Sequence, residues 1–119
     1  MNYQDWSKDL FKAIDGRDAK SFASFLTEDV IFTMGNFPPV EGKVNVEQAV
    51  AGFFDSIKGL LHSDLSVFQD GNTVISKGKV TYTRHNDTQL TVGFCNVLGL
   101  VDDKVKDYEI FLDVSQLYA

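Results

Sequence analysis

Few side chains in this sequence can move a proton or hold a buried polar group, and their placement narrows the chemistry. His62 and Asp64 stand two residues apart in a segment that reads as a strand, so they share a face. A carboxylate beside an imidazole favours its protonated form, which suits a general base. The apolar parity of that strand runs through Leu61, Leu65 and Val67, however. A regular strand therefore turns His62 outward, and only a bulge would bring it in. Three roles stay open for it: catalytic acid/base, hydrogen-bonding group in a pocket, or surface residue. His85 lies with Asn86 and Asp87 in a polar turn and reads as solvated. Cys95, the single cysteine, has no basic neighbour to make a thiolate and no partner for an intrachain disulfide. Two histidines without ligand spacing predict no metal site, and Gly35 and Gly42 are too far apart to cradle a phosphate. No cofactor is expected.

The other informative polar residue is Asn96. It falls on one face of a strand with Leu90, Val92, Phe94, Leu98 and Leu100. A buried amide costs roughly 1–3 kcal/mol unless hydrogen-bonded. Asn96 is thus either a satisfied core residue or a polar group lining a cavity. Tyr82 and Tyr108 share its face and carry hydroxyls in need of partners. An apolar pocket with a few polar groups is the usual build of a small-molecule site. Arg84, at the end of its strand, could clamp a carboxylate at the pocket mouth or pair with a surface acid. Asn36 could reach the rim or cap its turn. Asp107 and Asp113 fall on the opposite face and read as solvating or interfacial groups.

The elements that position these residues are legible from periodicity. Trp6, Leu10, Ala13 and Ile14 mark one face of a helix over residues 3–15, which Gly16 can end in a left-handed conformation. Asp18 is a plausible N-cap for a short second helix whose Phe22, Phe25 and Leu26 share a face. Residues 30–34 read as a strand and 35–43 as a loop. Asn45 and Gln48 resemble a capping pair ahead of the stripe Val46, Ala49, Val50, Phe53, Phe54 and Ile57, with Gly59 as a stop. Strands then follow over about 62–68, 73–84, 89–101 and 104–114. Their connections are short enough to make them antiparallel neighbours. Even-numbered positions carry the apolar face from residue 74 onward. Helices first and a meander after give an α+β class.

Composition closes off other classes. The chain has 119 residues, 44% apolar content and a formal charge of −6. One domain over 1–119 is the expectation. Acidic balance argues against nucleic acid and against anionic membrane surfaces as partners. The first residues lack a basic and apolar leader, and no apolar run reaches the ~18 residues of a membrane span. A cytoplasmic location is expected.

Several short motifs, in order, carry a resemblance over nearly the whole chain. They are Ala13-Ile14-Asp15-Gly16-Arg17-Asp18, Leu26-Thr27-Glu28-Asp29-Val30, the loop from Gly35 to Gly42, Asp70-Gly71-Asn72-Thr73-Val74, and Lys106-Asp107-Tyr108-Glu109-Ile110-Phe111-Leu112-Asp113. With them the chain resembles the SnoaL-like branch of the NTF2-like superfamily, which has a cystatin-like cone fold. The resemblance implies three N-terminal helices packed on a curved, mostly antiparallel sheet that encloses an apolar pocket. It also implies a homodimer through the outer sheet face.

Two chemistries known on this fold do not carry over. Laid on the ketosteroid isomerase pattern, the tyrosine falls on Leu10, the base on Met34 and the second acid on Asn96; neither Leu nor Met can move a proton. Laid on limonene-epoxide hydrolase, the tyrosine becomes Phe32, the asparagine Met34 and the last acid Ile110. No register supplies its Arg-x-Asp element, Lys79-Val80-Thr81 being nearest. SnoaL-like cyclases use a pocket carboxylate or histidine, for which His62 is the candidate here.

The pocket is expected to be lined by Phe32, Met34, Tyr82, Phe94, Asn96, Tyr108, Ile110 and Leu112, with Asn36 and Arg84 at its rim. It should take a small apolar or aromatic ligand. The alternatives are an isomerase or cyclase working through His62, and a non-catalytic dimer whose cavity its own side chains fill.

Overall fold

The computed structural model describes residues 1–118; the expected 1–119 unit reaches one residue, Ala119, outside the described residues. Helix α1 (Tyr3–Asp15) starts where the Asn2 side chain accepts hydrogen bonds from the N–H groups of Gln4 and Asp5. It buries Ser7, Leu10, Phe11 and Ile14. Its end differs from expectation. Gly16 is still right-handed, and Arg17 takes the left-handed turn at φ 53°. The N–H of Asp18 then reaches the carbonyl of Ala13 at 3.0 Å, closing the helix. Arg17 Nη1 donates to the carbonyls of Ile57 and Phe54, so the unusual turn also serves the end of a later helix.

Asp18 caps α2 (Ala19–Ala23) as expected, accepting from Ser21 N. The helix stops before Phe25, and Leu26 opens β1 (Leu26–Met34), which starts four residues earlier than its β-branched run suggests. The following loop contains the short β2 (Val40–Glu41). Helix α3 (Lys43–Asp55) begins two residues before the proposed Asn45 cap. Gly42, at φ 90°, turns the chain straight from β2 into the helix, and Asn45 Nδ2 donates back to the Glu41 carbonyl instead. Ser56 caps the end of α3, and Gly59 opens the next strand rather than stopping the helix.

Four long strands follow: β3 (Gly59–Asp70), β4 (Thr73–Thr83), β5 (Gln89–Val101) and β6 (Lys104–Phe111). The sheet order is β2-β1-β6-β5-β4-β3. The β3-β4-β5-β6 meander is antiparallel, and only β1 joins β6 in parallel. The helices pack on the sheet's curved inner face, the α+β cone that the resemblance implied. Even-numbered residues of β4 and β5, and of β6 from Tyr108, do point into the core, whereas a register shift at Gly99/Leu100 sets Val105 inside at the start of β6. Val74, Val80, Tyr82, Phe94, Leu98, Leu100 and Tyr108 are all buried there.

Parity fails in β3, for a local reason. His62 pairs directly with Val80, an inner-face residue, so His62 faces inward. Leu61 and Leu65, whose apolar character suggested the opposite, are exposed. The register slips between Ser63 and Ser66, where Asp64 takes φ 55°. Beyond that bulge Val67, opposite Ser76, packs toward the core. The bulge exists, but it lies after His62 and reverses the rest of the strand.

Gly78 makes room for it. A methyl there would meet the Ser63 carbonyl oxygen at 2.5 Å and that of Asp64 at 3.0 Å, both immovable backbone. Gly78→Ala should therefore cost about 1–3 kcal/mol, the range for overpacking a closed site. Urea unfolding checks this, and a midpoint equal to wild type would refute it.

Candidate functional site

Between the inner sheet face and the helices lies a cavity of about 420 Å³. Phe32 and Met34 from β1, Tyr82 from β4, Phe94 and Asn96 from β5, and Tyr108 and Ile110 from β6 line it, as does Leu112 just beyond. All eight were expected. The helices contribute Ile14, Phe22, Val50, Phe53 and Phe54. Phe37 and Tyr118, each more than half exposed, stand at the mouth, while Asn96 and Tyr108 at 2% and 1% exposure form the inner end. Neither Lys, Arg, Asp nor Glu lines it among the described residues.

His62 is the ionisable exception beside the tyrosines. Its ring lies 4.7 Å from that of Phe11 and 5.0 Å, edge on, from that of Phe94. The carboxylate serving it is not Asp64, which the bulge carries away, but Asp15. His62 Nδ1 is 2.5 Å from Asp15 Oδ1, and the His62 backbone N–H donates to Asp15 Oδ2 at 3.2 Å. Phe11 and Asp15 stand at i and i+4 on α1, so one helix face supplies both the ring contact and the anion. The pair is largely shielded, with side chains 9% and 22% exposed for His62 and Asp15. Asp15 is the partner of His62 that sequence reading missed. Its signal was an acid in the last turn of a helix, where the helix dipole disfavours negative charge.

Two rim residues are placed elsewhere. Arg84 does not line the cavity. Its Nε and Nη2 donate to the carbonyls of Leu117 and Gln116 at 2.8 and 2.9 Å, and Nη1 to Thr88. With those donors committed, it ties down the C-terminal segment rather than clamping a carboxylate. Asn36 lies in the turn after β1 and also stays outside the lining. His85 is exposed, and its Nε2 meets the Asp55 carbonyl at 2.8 Å. Tyr118, unremarked in the sequence, hangs over the mouth with its hydroxyl 2.6 Å from Ser56 Oγ.

Three buried polar atoms near the cavity's inner end lack partners. Asn96 Oδ1 and the Tyr108 hydroxyl are shut off from solvent and have no hydrogen-bond partner among the described residues. Ser76, directly opposite Asn96 in the β4–β5 register, has an unpartnered Oγ too.

The profile of the SnoaL-like domain matches residues 8–108. No curated protein matches the chain in sequence. Among solved structures it is similar to a candidate polyketide cyclase from Xanthomonas campestris pv. campestris. That pair shares 15% identity with a TM-score of 0.86, covering 96% of this chain and 92% of that one. It is also similar to an NTF2-like protein from Anabaena variabilis, at 18% identity and TM-score 0.80, covering 93% and 86%. A cystatin fold protein from Novosphingobium aromaticivorans matches at 20% identity and TM-score 0.77, covering 93% and 98%. At these identities the likeness is one of fold.

Burial pushes the ionisation of both inner tyrosines to higher pH, Tyr108 by desolvation alone and Tyr82 first by desolvation and then by the nearby Tyr118. Raised values in the folded state mean that stability is full below pH about 10, the ordinary phenol range, and falls as pH climbs beyond it. In an alkaline titration followed by tyrosinate absorbance, these two of the chain's four tyrosines should ionise only as the fold is lost. Tyr108→Phe should remove one of the late events; all four ionising together at pH about 10 would contradict the placement.

Proposed function

This chain belongs to the SnoaL-like family, and we propose that it binds a small apolar or aromatic molecule in its cavity and moves a proton on it through His62. The observation that supports this reading is His62 in the wall of an otherwise uncharged pocket, its Nδ1 held by the Asp15 carboxylate from outside that lining. A carboxylate at Nδ1 keeps the proton on that nitrogen and leaves the lone pair of Nε2 as the base. When Nε2 takes a proton, Asp15 faces the imidazolium that results. The apolar rings around it exclude water, which strengthens that attraction.

The reaction class follows from what such a base can do. A C–H bond beside a carbonyl breaks, its proton goes to Nε2, and the electron pair moves onto the carbonyl oxygen as an enolate. Returning the proton to another carbon is an isomerisation. Attack of the enolate carbon on a second carbonyl, with the proton passing to the new alkoxide, closes a ring. The description of the Xanthomonas protein as a candidate polyketide cyclase is in keeping with the second outcome.

We also infer a single domain working in the cytoplasm, supported by one continuous core and a lone cysteine. No helix among the described residues is long and apolar enough to cross a membrane. A homodimer through the outer sheet face is proposed on the exposed Leu61, Phe68, Val101 and Phe111. Phe68, Ile75 and Val97 form a row across three strands, and Lys77 and Lys79 share that face with Asp107 and Glu109. Two copies related by a twofold axis can set one's lysines against the other's acids.

Deuterium exchange beside the carbonyl of an apolar aromatic ketone such as tetralone tests the chemistry. The wild-type chain should accelerate exchange. His62→Ala should lose about a hundredfold or more of that acceleration, and Asp15→Asn about tenfold, without weakening ketone binding. Equal rates in wild type and His62→Ala would end the proposal. For the assembly, light scattering at tens of micromolar should give twice the chain mass, and Phe68→Asp should give the single mass; wild type at the single mass would refute the dimer.

A further inference from the structure

We propose that the Tyr118 side chain is a gate on this cavity, latched shut by its hydroxyl on Ser56 and swung aside when a ligand enters or leaves. The inference rests on the cavity being a ligand site, as argued above, and adds what regulates passage through its mouth. Tyr118 lines the cavity yet is 59% exposed, so its ring belongs to the rim rather than to the core. It stands close enough to Tyr82, on the inner wall, to oppose that residue's ionisation. Its hydroxyl meets Ser56, the residue that ends α3. The ring thus spans from the C-terminal segment to the helix on the far side of the opening.

What carries the ring is fixed. Leu117, next to it in the chain, is 1% exposed, and its N–H donates to the Val114 carbonyl at 2.9 Å. The carbonyls of Gln116 and Leu117 both accept from Arg84, which Thr88 holds in turn. The opposite rim is tied as well. There the Phe37 N–H donates to the Met34 carbonyl at 3.0 Å, and the Gly35 N–H to that of Ile110 at 2.8 Å. With the backbone held on both sides, the moving part is the Tyr118 ring, turning about its own side-chain bonds. Exposed side chains make such turns in picoseconds to nanoseconds, which lets the ring open and close many times before a ligand passes. Phe37, across the mouth, carries no hydroxyl that could latch it.

The latch is one bond with a defined direction. Ser56 Oγ donates its single proton to the Phe53 carbonyl at 2.6 Å. Towards Tyr118 Oη, also at 2.6 Å, it can therefore only accept, and the tyrosine donates. A neutral hydrogen bond open to water favours the closed position by about fivefold. The gate closes behind the ligand, so the same bond is present in the empty and the filled cavity. A contact equal in both states shifts no binding equilibrium. It slows entry and exit alike.

Stopped-flow mixing of the full chain with N-phenyl-1-naphthylamine, a neutral aromatic dye that brightens in apolar surroundings, reads both rates, and equilibrium titration reads the affinity. Tyr118→Phe keeps the ring and removes the latch. Entry and exit should both quicken about fivefold, with Kd within about twofold of wild type. Ser56→Ala should do the same, and the two changes together should be no faster than either alone, because they remove one and the same bond. Tyr118→Phe carries the comparison alone if Ser56→Ala frays the end of α3. Unchanged rates in Tyr118→Phe would overturn the gate yet leave the cavity as a ligand site. So would a weaker Kd with the entry rate unaltered, which marks an ordinary wall contact. A wild-type chain that binds no dye would remove the ligand site itself, and the gate with it.

Discussion

An aspartate at the C-terminal end of a helix is in the wrong place for the helix. The backbone dipole presents partial negative charge there, and a carboxylate adds to it at a cost of a few tenths to about 1 kcal/mol. Asp15 is tolerated because its two oxygens are answered by the ring nitrogen and the backbone N–H of His62. The rest of the site depends on that contact. It fixes where the first helix meets the first long strand, how the imidazole is turned, and which ring nitrogen is left facing a partner. Phe11 and Phe94 then sandwich the ring from two elements distant in the chain.

The hollow itself comes from how few large groups reach its centre. Sheet curvature separates the inner face from α3, and the aromatic side chains pack against one another around the perimeter. Phe22, Phe32 and Tyr108 form one such cluster, and Phe53, Phe54 and Tyr82 another. Edge-to-face contacts hold rings upright rather than letting them collapse inward. The mouth is bounded by the turn after β1, with Phe37 and Pro38, and by the C-terminal segment that Arg84 secures.

Much of this was legible in the sequence, and the exceptions have causes. The strict alternation in β5 placed Phe94 and Asn96 inside because that strand pairs with β4 without interruption from Thr73↔Gly99 to Thr83↔Gln89. Phe32, Met34, Tyr108 and Ile110 followed because they lie in the regular stretches of β1 and β6, beyond the register shifts near the start of each. In β3 the same rule misplaced His62, since Leu61 and Leu65 are apolar yet exposed, and a bulge inside the strand gives its two halves opposite parity. Gly78 was the sequence trace of that bulge, but nothing local identifies the strand that a glycine must accommodate. Asp15 was out of reach because its partner lies 47 residues away. Arg84 was misread because its acceptors are backbone carbonyls, which no side-chain pattern reveals. The start of α3 moved because a glycine, not an asparagine, opens it.

The helix that supplies Asp15 has a second effect. β3 is the last strand of the sheet, so one side of its backbone has no neighbouring strand. Helix α1 reaches that side at both ends: Gln4 Nε2 donates to the Val67 carbonyl at 3.1 Å, and Asp15 takes the His62 N–H. Between those two anchors the bulge breaks the regular row of peptide groups. An open β-edge is a template on which further chains can add and grow into aggregates. The geometry that orients a reactive imidazole thus also blunts the border most exposed to that hazard, and loosening α1 would endanger solubility as much as chemistry.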